Sequence, residues 1–314
     1  MNSARTTMGA KLIGIQYNFF HPTGNTPVSR PTKCFFLAED GSLKWVAVNS
    51  SVFPGWWSME DTSNLVFPPF PTGSWNVGQI SRLENGEVAF TKTLEIPFEG
   101  IENAWHPTKI DITELELVKQ FKYPHDGRLW YAKHPRFNDK PLFVKIEPWA
   151  CSTARKGVME IETKAYEMLY GLGMTPEFLG HVTYRGAVIG FILEWVEGAR
   201  TAEDKDTPAC IEAIKKLHSL GLVHGYPHHG NFMVKGNDLL VIDFEHAKIG
   251  DKATVKEKED DIRHITREFE EETWRWRLEM GEDEDEDDDV PDVDKFFDGM
   301  VDDEIPWVGD DDDF

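Results

Sequence analysis

The stretch His224-Gly-Tyr-Pro-His-His-Gly-Asn231-Phe-Met-Val, followed twelve residues after Asn231 by Asp243-Phe244-Glu245, holds the densest set of groups able to do chemistry. His228 and His229 can each accept a proton, because histidine titrates near neutrality. Tyr226 is a poor base there, since a phenol has a reference pKa of about 10. An Asn or Asp beside a turn, as Asn231 and Asp243 are, is more often structural when it stands alone. Upstream, Lys145 lies in the apolar run Leu142-Phe-Val-Lys-Ile, where a buried cation needs a partner. A surface lysine on an edge strand is the alternative reading. The next helix offers two carboxylates. Its apolar stripe runs through Val158, Ile161, Ala165, Met168, Leu169 and Leu172. Glu162 flanks that stripe beside Ala165, Tyr166 and Leu169, whereas Glu160 groups with Lys164 and Glu167 on the polar side. Glu162 is therefore the expected partner of Lys145.

The elements that must position these groups follow from patterning and turn chemistry. Residues 1–10 read as disordered, and residues 11–99 carry β signals. Asp40-Gly41 marks a hairpin between Lys33-Cys-Phe-Phe-Leu and Leu43-Lys-Trp-Val-Ala-Val, and Asn85-Gly86 marks a second turn. Between them, Phe67-Pro-Pro-Phe-Pro-Thr-Gly-Ser-Trp is a Pro-rich loop dense in aromatics, read as an ordered packing connection or as a site for a protein partner. Strands are expected over 115–123, 128–134 and 141–147, the first two flanking Pro124-His-Asp-Gly. A helix over 153–170 is closed by Gly171 and Gly173. Strands over 181–184 and 187–195 follow. A helix with Thr207 as N-cap and Pro208 at its first position runs to Leu220, with Ile211, Ile214 and Leu217 on its apolar face. Short strands surround Gly236-Asn237. A last helix over 255–280 buries Ile262, Ile265, Phe269 and Trp276.

On these motifs the chain resembles the protein-kinase-like superfamily, in the style of aminoglycoside and choline kinases, which read His-Gly-Asp, an Asn five residues after that Asp, a hairpin, and then Asp-Phe or Asp-Trp. More narrowly, residues 33–248 resemble small fungal proteins with a kinase-like domain, many labelled alpha-galactosidase A. The shared stretches are Pro68-Pro-Phe-Pro-Thr-Gly-Ser-Trp-Asn, Asn103-Ala-Trp-His-Pro-Thr-Lys-Ile-Asp, Pro176-Glu-Phe-Leu-Gly-His-Val-Thr and Val188-Ile-Gly-Phe. The label finds no support in the residues, because neither the strand-helix alternation of a barrel nor a pair of carboxylates on its strand ends is present. The resemblance implies an α+β, two-lobed kinase-like fold with a β-rich N-terminal extension and a shortened C-lobe. The corresponding segments are a disordered 1–10, an extension over 11–113 packed on the small lobe, a small lobe over 114–195, a large lobe over 196–280, and a disordered acidic tail over 281–314.

The resemblance also implies roles. Lys145 would hold the phosphates of ATP and Glu162 would hold Lys145. Backbone groups near Glu194 and Val196 would meet adenine, and Asn231 and Asp243 would ligate Mg, which prefers oxygen donors. The position of the catalytic Asp is held by Tyr226, with His224 and His228 nearby. Only Gly127 is left of a Gly-rich loop, and little chain follows Asp243 to build an acceptor site. The expectation is a pseudokinase or regulatory scaffold. An active ATP-dependent phosphotransferase and a nucleotide-free interaction module are the alternatives.

The charge balance narrows the partners. The net charge of -23 is concentrated at the C-terminus: 18 of the 56 acidic residues and one of the 33 basic residues lie in Gly281–Phe314, leaving 38 acidic and 32 basic before them. An acidic body and tail argue against nucleic acid. The tail, with Phe296-Phe297 and Trp307 among carboxylates, resembles an acidic segment for an unknown protein partner. Three scattered cysteines give neither a disulfide framework nor zinc spacing. No apolar run approaches the ~20 residues that span a bilayer, and no cleavable leader is apparent. A cytoplasmic or nuclear location is expected, not a secreted one.

Overall fold

The computed structural model describes residues 6–7, 10–16, 32–49, 52, 65–121, 128–147 and 153–270. The acidic tail, Trp276 and the turn Pro124 to Gly127 lie outside them. The architecture is α+β and rich in strands, with three α-helices among the described residues. None of these helices is long and apolar enough to cross a membrane.

Contacts divide the chain into two units. One comprises residues 1–100, 109–151 and 181–192; the other comprises 101–108, 152–180 and 193–314. This division is interleaved along the chain.

The first unit holds one six-stranded sheet whole and most of a second. In the first, β1 (Thr6–Thr7), β2 (Ala10–Gln16), β3 (Thr32–Ala38), β4 (Leu43–Val48), β5 (Val77–Arg82) and β6 (Val88–Leu94) lie in sequence order. Thr6–Thr7 pairs with the start of β2, so part of the stretch expected to be disordered is strand. The two turns form where their residues allow a left-handed backbone: Gly41 has φ 77° and Gly86 has φ 83°. Asp40 accepts from the Ser42 N–H, and Asn85 accepts from that of Glu87. Only β4 and β5 run parallel, and the chain between them includes the Pro-rich loop. That loop is a core element. Phe67, Phe70 and Trp75 meet Phe36 and Phe90 edge-on at centroid distances of 5.1 to 5.6 Å. The Trp75 indole N–H donates to the Pro71 carbonyl at 2.8 Å. The Lys44 ammonium lies 4.5 Å from the Trp75 ring centroid and donates to the Trp75 carbonyl, and burial lowers its pKa.

The second sheet contains β7 (Lys109–Asp111), β8 (Glu116–Gln120), β9 (Leu129–Lys133), β10 (Leu142–Ile146), β11 (Phe178–Tyr184) and β12 (Ala187–Glu194), in the order β7-β11-β12-β10-β9-β8. β7 runs parallel to β11, with Ile110 opposite Val182. The two sheets meet through specific bonds. The Leu43 N–H donates to the Tyr184 hydroxyl, the Lys11 ammonium to the Leu117 carbonyl, and the Gln120 amide to the Ile13 carbonyl.

The second unit holds α1 (Thr153–Leu169), β13 (Arg200–Thr201), α2 (Thr207–Ser219), β14 (Leu222–Val223), β15 (Phe232–Lys235), β16 (Asp238–Val241), β17 (Lys248–Ile249) and α3 (Val255–Glu270). β13, β15 and β16 form one small sheet, and β14 pairs with β17. Cys210, Ile214 and Leu217 are the buried face of α2. Its N-cap is Asp206, not Thr207, and Pro208 stands within the first two helical positions. Asp206 makes no side-chain cap because its carboxylate is bound to Arg200 at 2.5 and 3.0 Å and to the Glu203 N–H.

Phe36 is fully buried at the centre of the aromatic cluster. Phe36→Ala is expected to lower stability by about 3–5 kcal/mol, the usual cost of deleting a buried ring. A urea titration followed by far-ultraviolet circular dichroism reads this loss.

Candidate functional site

The candidate loop runs from β14 to β15. Its shape is fixed by a carboxylate that lies 37 residues away in sequence from its first partner. Asp261, on α3 and 2% exposed, accepts from the His224 N–H and the Gly225 N–H, both at 2.9 Å, and lies 2.9 Å from His218 Nε2. Gly225 follows with φ 85°, and a β-carbon there would lie 2.1 Å from the His246 carbonyl oxygen. No other residue fits that approach. The loop then tightens into a 3₁₀ turn over His229–Asn231.

Two histidines expected near the chemistry are committed to this scaffold. His224 is fully buried, with Nε2 donating to the Ile242 carbonyl at 3.0 Å and Nδ1 accepting from the Tyr226 N–H at 3.4 Å. Burial lowers its pKa, so the neutral Nε2–H tautomer satisfies both bonds. His228 caps the 3₁₀ turn: its Nδ1 accepts from the Gly230 N–H at 3.1 Å. A β-carbon on residue 230 would lie 2.6 Å from the imidazole, which explains the glycine. Burial brings His228 down to about 4, with the Asp243 charge opposing. In each ring the accepting nitrogen is already used. The hydrogen bonds of both rings serve the loop's own backbone.

Asn231 is buried; its side-chain amide donates to the Tyr226 carbonyl at 3.0 Å, and its own carbonyl accepts from the Ile242 N–H at 3.0 Å. The next residue, Asp243, has φ 64°, a left-handed conformation rare outside glycine and Asn/Asp. Phe244 is fully buried against Tyr166 of α1, 5.2 Å between ring centroids, and against His224, also at 5.2 Å. Anchoring Phe244 sets its two neighbours. Oxygens of Asp243, Glu245 and Glu162 lie within 4.8 Å of one another, with Glu162 only 1% exposed.

Glu245 is the member that sequence reasoning missed. The available signal was adjacency: Glu245 follows directly on the core phenylalanine whose other neighbour is Asp243. Asp261 was missed too. Its signal is helical: it stands four residues before the buried Ile265, on the inward face of α3.

Tyr226 stands at the expected position of the catalytic Asp and is 48% exposed. Its ring contacts three imidazoles, His228 at 4.9 Å, His264 at 5.1 Å and His246 at 5.8 Å. Lys145 belongs to the first unit. It is 4% exposed on β10, an inner strand between β9 and β12, which removes the edge-strand reading. Of the backbone groups expected to meet a base, the Glu194 N–H donates to Glu177, and the Val196 carbonyl accepts from Ala199. Both of those groups are already committed.

Residues 182–272 match the family of the lipopolysaccharide core biosynthesis protein WaaY, a kinase-like family. The match covers less than a third of the chain, including the whole candidate loop and Asp243, and leaves Lys145 and Glu162 outside. It corrects the resemblance drawn from the loop motifs. The likeness lies in a different branch from the aminoglycoside and choline kinases, and the narrower likeness to the small fungal proteins falls with it.

Two outcomes follow from this geometry. Asp261→Ala leaves the His224 and Gly225 N–H groups without their acceptor. At about 1–3 kcal/mol for each unsatisfied buried donor, it is expected to destabilise the second unit by several kcal/mol in a denaturant titration. His228 titrates the other way from a salt-bridged group. Its folded pKa is depressed below its unfolded value of 6.5, so folding stability is full above pH 6.5 and falls on acidification toward pH 4. His228→Asn, which keeps an acceptor for the Gly230 N–H, is expected to flatten the melting temperature over that range.

Proposed function

We propose that this chain is a two-lobed kinase-like protein that binds a magnesium nucleoside triphosphate and in which transfer to an outside acceptor is suppressed, a regulatory pseudokinase. The observation that carries the reading is the convergence of Glu162, Asp243 and Glu245, whose oxygens lie within 4.8 Å of one another.

Three carboxylates at that spacing repel one another, and a divalent cation among them turns the repulsion into attraction. The donor set is all oxygen, which suits magnesium and disfavours the softer metals that choose sulfur or imidazole. Asp243 and Glu245, with Glu162 and Asn231, would hold the metal. Bound there, magnesium would neutralise charge on the phosphates of the nucleotide. The chain's own residues do the rest. Lys145, in the other unit, is the buried ammonium that a kinase-like reading assigns to the α- and β-phosphates. Phe244, locked in the core, holds the carboxylates on either side of it in place. Asn231 ties the loop to the segment that carries them, through its bonds to Tyr226 and Ile242.

Tyr226 gives the reading its regulatory sense. A phenol in place of a carboxylate cannot draw the proton from an incoming hydroxyl near neutral pH. Its exposed ring also fills space that an acceptor would need. A second reading is favoured by the family match: an active phosphotransferase whose acceptor is a hydroxyl of a saccharide, as the description of a lipopolysaccharide core biosynthesis protein suggests. Tyr226→Asp separates the two. It raises turnover on added acceptors if the base has been lost, and leaves turnover unchanged or lower if the natural loop is already active.

Calorimetric titration of ATP, with and without magnesium, tests the central claim. Binding is expected only with magnesium. Asp243→Asn is expected to weaken it about tenfold or more, about 1.4 kcal/mol or above, and Lys145→Ala to weaken it as well. Equal binding with and without magnesium, or in Asp243→Asn, would sink the reading.

A further inference from the structure

Glu160 lies two residues before Glu162 on α1, and two residues along a helix turn the side-chain direction by about 200°. The two carboxylates therefore leave α1 on opposite sides. Glu162 shares its side with the buried Met159, Tyr166 and Leu169. Glu160 shares the other with Lys156, Lys164 and Glu167, the polar kind of face that a helix ordinarily turns to water. Here residues 101–108 lie along that face as a strap. The Glu160 carboxylate accepts from two consecutive backbone N–H groups of the strap, Glu102 at 2.9 Å and Asn103 at 2.7 Å. Lys156, about one turn earlier, lies 3.6 Å from the Glu102 carboxylate. The Trp105 indole N–H donates to the Thr163 carbonyl at 3.1 Å. Paired, charge-assisted bonds add geometric specificity, so the strap meets α1 at one angle.

The strap is itself fixed in the same unit. Its Trp105 ring lies 4.7 Å from Phe178, Phe178 lies 5.8 Å from Tyr166, and Tyr166 lies 5.2 Å from Phe244, all between centroids. Phe244 is the residue between Asp243 and Glu245. At the strap's far end Thr108 closes on Gly180, where a β-carbon would lie 2.9 Å from the threonine side chain. The strap is thus anchored through rings to the core that holds Asp243 and Glu245, and through Glu160 to the helix that carries Glu162.

We propose that Glu160 is a positioning residue for the carboxylate site: its hold on the strap fixes the rotation of α1 and so keeps Glu162 within reach of Asp243 and Glu245. The inference rests on the metal-binding reading above. Glu160 acts through Glu162 and touches no ligand itself. With both of its bonds made, α1 presents Glu162 at the spacing that brings the three sets of carboxylate oxygens within 4.8 Å of one another. Without them α1 is free to roll about its axis. A roll carries Glu162 away from its two partners and leaves a cation with two carboxylates in place of three.

The test titrates terbium, a hard cation that takes oxygen donors as magnesium does, into the full chain and follows its luminescence. The part of the signal that Asp243→Asn abolishes belongs to the site, which sets aside ions held by other carboxylates of this acidic chain. Glu160→Ala is expected to weaken site binding about tenfold or more, the usual effect of losing a group that orients a ligand. Glu160→Gln, which keeps one acceptor for the strap, is expected to restore part of the loss. Lys164→Ala, on the same side of the helix, is expected to bind as the wild type does. In a Glu162→Gln background, Glu160→Ala is expected to cost nothing further. If Glu160→Ala melts early, Trp105→Phe, which removes the strap's bond to Thr163, takes its place with the same expectation. Site binding unchanged in Glu160→Ala, no recovery in Glu160→Gln, an equal loss in Lys164→Ala, or an equal loss with and without the Glu162 carboxylate overturns the proposal and leaves the metal-binding reading standing. Absence of a site signal in the wild type removes both together.

Discussion

One carboxylate sets the terms for the candidate site. Asp261 takes two consecutive backbone N–H groups from the loop and a histidine side chain from α2, all while 2% exposed. A buried carboxylate that accepts several hydrogen bonds is held in one geometry, and it imposes that geometry on its donors. The peptide of Gly225 is thereby pressed against the His246 carbonyl, and Tyr226 is delivered to the surface. This gives the short segment after Asp243 a clear task. α3 clamps the loop from behind.

On the other side, Phe244 does by packing what Asp261 does by hydrogen bonding. Its ring is enclosed by Tyr166 and His224, so the residues flanking it have no freedom to drift. The left-handed backbone of Asp243 is tolerable for an aspartate held on both sides by fixed neighbours. The result is a concentration of negative charge on a rigid frame, which is what a metal site asks of its ligands.

Much of this was legible in the sequence, for local reasons. Asp40-Gly41 and Asn85-Gly86 announce their hairpins because only a few residues accept a positive φ. Lys145 stands out because an ammonium in an apolar run is costly unless it has a role. The Pro-rich loop can be read as packing because its aromatics need somewhere to go. What escaped depends on distance. The pairing of β7 with β11 joins residues about seventy apart, and no local pattern encodes it. Asp261 sits next to Asp260, which merely pairs with Arg263 on the exposed side of the same helix, and only tertiary packing distinguishes the two. Asp206 looks like a spectator until Arg200 is seen to hold it. The choice of branch failed for a chemical reason: residues that bind phosphate and metal are what kinase-like proteins share, so they say little about which of them is closest.

The interleaving of the two units has a consequence for biosynthesis. As the chain leaves the ribosome, the first sheet can form early, since its strands pair in sequence order. The second sheet cannot be completed until β11 and β12 have emerged, because β7 waits for a partner made about seventy residues later. By then α1 and residues 101–108 of its unit have been synthesised, but most of residues 193–314 have not. That helix, with Glu162 on it, must wait without Phe244 and the later part of its core. A nascent chain paused there exposes the apolar face of α1, so this is the stage at which a chaperone or a misfolding event would find its opening.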